Sequence, residues 1–182
     1  PVHIEKYYEI EDIKYTCTEY CGYDSALLPG LAETISKSGK DKVLIILHTN
    51  TSHGPEYNKK YPSKFEVFTP VCTSVELSHC SEQELINAYD NTIIYTDYLL
   101  NNIIEQLKTV ADYETCMLYV SDHGESLGEN GLYMHGVPMA LSPKEQYEIP
   151  FVVWTSSADR KIKELSLVDQ YYVFHSVLKF LD

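Results

Sequence analysis

The apolar positions of this chain alternate between helix-spaced stripes and short continuous runs. From Tyr23 onward, Leu27, Leu28, Leu31 and Ile35 recur at helical spacing. They predict a helix with Asp24 at its cap, Pro29 disturbing its first turns and Ser38-Gly39 ending it. Lys42 to His48, KVLIILH, is a continuous apolar run that reads as a strand buried on both faces. A long polar loop follows, TNTSHGPEYNKKYPSKFEVFTPVC. Loops of this length inside a domain are functional or need fastening, and a Cys72–Cys80 bridge would fasten this one. Ser81 and Glu84 then form an S-x-x-E capping box. Behind it Leu85, Tyr89, Thr92, Thr96, Leu99, Ile103 and Leu107 fall three and four apart, predicting about seven turns of helix with one buried face.

Met117 to Val120 reads as a second strand, and Phe151 to Trp154, after Pro150, as a third. The tail from Leu167 to Leu181 predicts a closing helix with a stripe of Val168, Tyr171, Phe174, Leu178 and Leu181. The first 22 residues are polar and irregular. Alternating helices and strands argue for one α/β domain, a sandwich with a mostly parallel sheet.

Charge narrows the function classes. Asp and Glu number 27 against 14 Lys and Arg, a formal charge of -13. Nucleic-acid binding needs a basic footprint and is excluded as the main function. Acidic side chains keep a protein soluble and gather cations. No apolar run approaches the roughly 18 to 20 residues of a membrane helix, and the polar start at Pro1 is unlike a signal peptide. The chain begins in mid-protein character, so a piece of a longer protein is expected.

The five cysteines form two close pairs, Cys17 with Cys21 and Cys72 with Cys80, plus Cys116 at the start of an apolar run. Disulfides in an oxidising compartment are the favoured reading. A four-cysteine zinc site is the alternative, although C-x3-C and C-x7-C do not match the usual spacings.

Candidate chemistry gathers in Met117 to Pro138, MLYVSDHGESLGENGLYMHGVP. A buried strand runs into Asp122 and His123, then Glu125, Glu129 and His135 among four glycines. Asp oxygen and His nitrogen at a strand end suit zinc or a similar divalent ion. His48 and His53, in HTNTSHGP, lie beyond the end of the first strand. His53 and His135 stand in H-G segments, where backbone approaches a ligand closely. His175, on the terminal helix, reads as a hydrogen-bonded core group, and His3 and His79 as surface.

The strings SDHGESLGENGLYMHGVP, LHTNTSHGPEYNKKYP and FTPVC-x7-C with YDNTIIYTDYLL closely resemble the lipid A phosphoethanolamine transferases. These include the transferable polymyxin-resistance determinants and belong to the alkaline phosphatase/sulfatase superfamily. The resemblance runs from about Cys21 to the C-terminus. It implies a three-layer α/β/α sandwich and places residues 1–182 in the C-terminal portion of a soluble catalytic domain. The domain would be a monomer on the periplasmic face of the bacterial inner membrane, held by an upstream anchor. The implied reaction takes phosphoethanolamine from phosphatidylethanolamine onto a threonine, then passes it to lipid A or lipooligosaccharide.

The resemblance also implies residue roles. Asp122 and His123 match the catalytic zinc ligands. His53 and His135 match phosphate- and substrate-lining positions and, with Glu125, would hold a second metal ion, so one zinc or two are expected. The periplasmic address supports Cys17–Cys21 and Cys72–Cys80 as disulfides, with Cys116 free. The family's threonine nucleophile and metal-binding glutamate have no match before Cys21. None of Thr16, Thr18 and Thr34 stands in a strand-to-helix context, so no nucleophile is assigned. A phosphoglycerol transferase, a sulfatase, or a non-catalytic metal-binding module are the competing readings.

Overall fold

Pro29 divides the first predicted helix. The computed structural model, which describes residues 22–160, 162 and 167–182, has a 3-10 turn at Asp24–Leu27 and then a short helix α1 at Leu31–Ser36. Proline has no amide to donate and its ring crowds the preceding turn, so the ladder cannot run through. Asp24 does not cap a helix. Its Oδ2 accepts from the Asn50 N–H at 2.8 Å and from the Thr51 hydroxyl, pinning the loop that carries His53. Cys17, Cys21, Thr16, Thr18 and His3 lie outside the described residues.

The capping box is present with both arms, and helix α2 runs over Glu82–Lys108. Ser81 N–H donates to Glu84 Oε2 at 2.8 Å, and Glu84 N–H to Ser81 Oγ at 3.3 Å. Leu85, Thr92, Leu99 and Leu107 are buried, while Tyr89, Thr96 and Ile103 are half-buried. The covered face is wider and more polar than the predicted stripe, because it also takes in Asn87, Ala88, Asn91 and Tyr95.

That polarity holds the long loop. Asn91, fully buried, accepts from Val67 N–H and Phe68 N–H at 2.9 Å each and donates to Phe68 O at 2.9 Å. Asn87 donates to Pro70 O at 2.8 Å. Cys72 and Cys80 are joined as a disulfide, and Cys72 N–H donates to Glu84 O at 2.9 Å. A loop away from any sheet must pair its polar backbone somewhere, and the asparagines of α2 supply the partners.

Strands β1 (Cys116–Val120) and β4 (Phe151–Thr155) pair antiparallel, Cys116 opposite Thr155 and Val120 opposite Phe151. A second pair, β2 (Ser126–Leu127) and β3 (Tyr133–Met134), is also antiparallel. No parallel pair occurs among the described residues, against the expectation of a mostly parallel sheet. The reason is local: parallel neighbours need a crossover, usually a helix, and residues 121–150 hold only short strands and 3-10 turns.

The run from Lys42 to His48 has no strand partner among the described residues. Its burial alternates. Ile45 packs on the cluster of Ile35, Leu107, Val110 and Met117, while Leu44 and Ile46 are 53% and 73% exposed. One face is therefore covered, not two. The closing helix α3 is shorter than predicted, Tyr171–Leu181, and Asp169 Oδ1 accepts from Tyr171 N–H at its start. Tyr171, Phe174 and Leu178 of its stripe are exposed, because no described layer lies over them. Cys116 is a free, half-buried thiol. No described helix is long and apolar enough to cross a membrane.

Candidate metal centre

The strand β1 delivers the first candidate ligands. Beyond Val120, Ser121 Oγ donates to His123 O at 2.6 Å, turning the chain so that His123 leaves the sheet edge. Gly124 then passes tightly beneath residues 144–147, its N–H donating to Gln146 O at 3.0 Å. A Cβ at this position would lie 1.9 Å from the Glu145 carbonyl oxygen, so only glycine fits. Gln146 is itself buried, with its Nε2 donating to the fully buried Ser126 Oγ at 2.8 Å.

The β2–β3 hairpin brings the chain back. Its turn is Glu129–Gly131, entered through Gly128 at φ 127 and containing Asn130 at φ 54. The turn reverses direction within a few residues, and Ser126 then faces Met134. His135 therefore stands beside Glu125. Its Nδ1 lies 2.8 Å from Glu125 Oε1. From the other side, Tyr57 donates its hydroxyl to Glu125 Oε2 at 2.7 Å. Burial and the Glu125 carboxylate push the Tyr57 phenol well above its ordinary range, so it stays the donor.

His53 completes the group, carried by the loop that Asp24 and a Ser52–Thr92 hydroxyl contact of 2.8 Å hold in place. One donor atom from each of His53, His123, Glu125 and His135 lies within 4.8 Å of the others. The imidazoles cluster closely, with ring centroids of His123 and His135 3.7 Å apart and of His53 and His135 5.3 Å apart.

Hydrogen bonds decide which nitrogens carry a proton. His53 Nδ1 lies 2.8 Å from Gly54 O and His123 Nδ1 3.0 Å from Gly124 O. A carbonyl only accepts, so both Nδ1 atoms carry the proton and each Nε2 keeps its lone pair. The carboxylate beside His135 imposes the same tautomer there. Three Nε2 lone pairs form a nitrogen donor set of the kind zinc takes. Glu125, with Oε1 on His135 Nδ1 and Oε2 on the Tyr57 hydroxyl, stands behind His135 as its partner rather than beside it as a ligand. Metal-bound histidines ordinarily donate their other nitrogen to a carbonyl or carboxylate, as all three do here. The residues fit a zinc ion.

Asp122 stands apart from this group. Its side chain is 82% exposed, with Oδ1 accepting from His123 N–H at 3.1 Å and Oδ2 3.7 Å from His123 Nε2. Two donors on one tetrahedral zinc lie about 3.4 Å apart, so the Asp122–His123 pair is also within reach of an ion. His123, expected from the sequence only beside Asp122, thus also stands among His53, Glu125 and His135. His48 is exposed and outside the cluster. His175 is exposed rather than a core group, with its ring edge-on to Phe174.

Three contributors escaped the sequence reading. Tyr57 could have been noticed from its place four residues after His53, in HGPEY. Gln146 and Gln170 carried no signal. Gln170 Nε2 donates to Asp122 O at 2.6 Å and Ser121 O at 3.2 Å, tying the start of α3 to the metal loop. A cavity of about 280 Å³ opens beside His123 and His135, walled by Val137, Met139 and Tyr147.

Known proteins resemble this chain over most of its length. The sulfatase family profile matches residues 2–182. The chain is 46% identical over 182 residues to phosphoethanolamine transferase EptA of Helicobacter pylori, covering 97% of this chain and 35% of that protein. It is 49% identical over 133 residues to phosphatidylethanolamine transferase Mcr-1 of Escherichia coli, covering 72% of this chain and 25% of that one. The C-terminal periplasmic domain of phosphoethanolamine transferase EptC from Campylobacter jejuni superposes with a TM-score of 0.68 at 49% identity, over 73% of this chain and 43% of that one. The chain thus spans about a quarter to a third of these curated relatives' length. With a profile match running over residues 2–182, the chain belongs to the sulfatase family.

Proposed function

We propose that this chain is the C-terminal part of the catalytic domain of a zinc-dependent phosphoethanolamine transferase. In this reading the whole enzyme sits at the periplasmic face of the bacterial inner membrane. It moves phosphoethanolamine from phosphatidylethanolamine to lipid A or lipooligosaccharide through a phospho-threonine, and its complete domain is a monomeric α/β/α sandwich with a mostly parallel sheet. The observation that carries the reading is the cluster of His53, His123, Glu125 and His135, in a chain 46% identical to a phosphoethanolamine transferase.

When bound, zinc supplies charge neutralisation at phosphoryl oxygens and lowers the pKa of an oxygen nucleophile. The residues of this chain do the rest. His123, with Asp122 beside it, would hold the catalytic ion. His53 and His135 have committed their Nδ1–H to Gly54 O and Glu125. As neutral rings they therefore ligate a metal through Nε2, and they donate to a phosphoryl oxygen only as imidazolium. Glu125, nearly buried, orients His135 and fixes its proton on Nδ1. The cavity walled by Val137, Met139 and Tyr147 leaves room for a substrate beside His123 and His135.

The test is a transfer assay with the full-length protein, phosphatidylethanolamine as donor and lipid A as acceptor. His123→Ala should lower turnover by roughly a hundredfold or more while the protein stays folded. Turnover equal to wild type would sink the assignment.

A further inference from the structure

Tyr57 touches both sides of the cluster from within the core. It is 1% exposed, in the core cluster with Cys72, Leu77, Leu85 and Ala88, and its ring meets Tyr89 edge-on at 5.5 Å. Its hydroxyl alone leaves this apolar setting, donating to Glu125 Oε2 at 2.7 Å. The other oxygen of the same carboxylate receives His135 Nδ1 at 2.8 Å. A carboxylate with one hydrogen bond turns readily about its last torsion, whereas one bonded at both oxygens is held in place. On the other side, Tyr57 lies directly under Gly54, the residue after His53. A Cβ on Gly54 would come within 2.6 Å of the Tyr57 hydroxyl oxygen. The phenol thus occupies the space that side chains would otherwise fill between the two histidine loops.

We infer that Tyr57 is a positioning residue for the metal cluster, its hydroxyl clamping Glu125 so that His135 holds its proton on Nδ1 and presents Nε2. The inference rests on the reading of the cluster as a metal site, and it assigns the tyrosine a task beyond packing. Removing the hydroxyl leaves the ring and its core contacts in place. It frees Glu125 Oε2 to rotate away, and His135 then loses the partner that selects one tautomer.

The experiment compares wild type, Tyr57→Phe and Tyr61→Phe in the full-length protein in detergent. Tyr61 is equally buried, with Asn91 Nδ2 donating to its hydroxyl at 3.3 Å, but it has no contact with the cluster. Long-range proton–nitrogen spectra of labelled histidines report the His135 tautomer in metal-free protein, and competition with a chromogenic chelator reports zinc affinity. In wild type the Nδ1–H tautomer is expected. Tyr57→Phe should give a mixture of tautomers and weaken zinc binding by about 10- to 100-fold. Tyr61→Phe should move neither readout, even where it lowers the melting temperature. An unchanged tautomer in Tyr57→Phe overturns the inference, as does unchanged affinity in a protein whose wild type binds zinc. A wild type that takes up no zinc, with the tautomer still shifting in Tyr57→Phe, would remove the metal reading and leave the positioning role standing.

Discussion

Single atoms decide much of the site. At Gly124 the neighbouring backbone leaves no room, since a Cβ would meet the Glu145 carbonyl oxygen at 1.9 Å. Neither partner is the end of a flexible side chain, so Gly124→Ala must displace the 144–147 turn or the His123 loop. A displacement near 1 Å costs roughly a hundredfold in rate. The expected result is a loss of that size in kcat/KM for transfer to lipid A, and near-wild-type turnover would show the turn to be compliant. The glycine, His53, His123, Glu125 and His135 were legible in the sequence because they crowd into two short strings. Tyr57 was not, because it is one of 16 tyrosines and reaches Glu125 across 68 residues of sequence. Gln170 was hidden for the same reason: a glutamine gains meaning only from the two carbonyls it finds. Asp122 was legible as a residue type, but its position facing solvent beside His123 was not.

The elements were readable where local chemistry sets them. The capping box fixes the start of α2 from four residues, and both of its hydrogen bonds are present. The antiparallel pairing of β1 and β4 escaped, because apolar runs give strand positions but not direction. So did the asparagines of α2: apolar periodicity ranks Asn87 and Asn91 as surface, yet they hold the long loop. The disulfide is the loop's second fastening. Cys72 and Cys80 close a separation of 8 residues against the core under Tyr57 and Leu85. In the chain-entropy account such a closure stabilises by roughly 2 to 3 kcal/mol. The Cys72→Ser/Cys80→Ser double variant should therefore lower the melting temperature of the full-length protein, and dithiothreitol should lower it further in wild type than in the double variant. Equal melting temperatures in all four conditions would mean that Asn87 and Asn91 hold the loop alone.

The described residues leave apolar faces uncovered. Leu44, Ile46, Phe174 and Leu178 are exposed on the very elements whose apolar pattern predicted burial. The chain spans 43% of the solved Campylobacter jejuni periplasmic domain, and in the proposed α/β/α sandwich further layers would cover these faces. What the chain does assemble by itself is one corner: β1, the β2–β3 hairpin and the fastened loop converge on three imidazoles and a carboxylate. Its acidity, -13 overall, sets no barrier to gathering a cation there. Anomalous diffraction at the zinc edge, from crystals of the full-length protein, tests this most directly. The account predicts a zinc peak within bonding distance of His123 Nε2, shared with Asp122 or with His53 and His135. A fully ordered His53–His123–His135 cluster with no anomalous peak, in crystals grown with zinc, would contradict it.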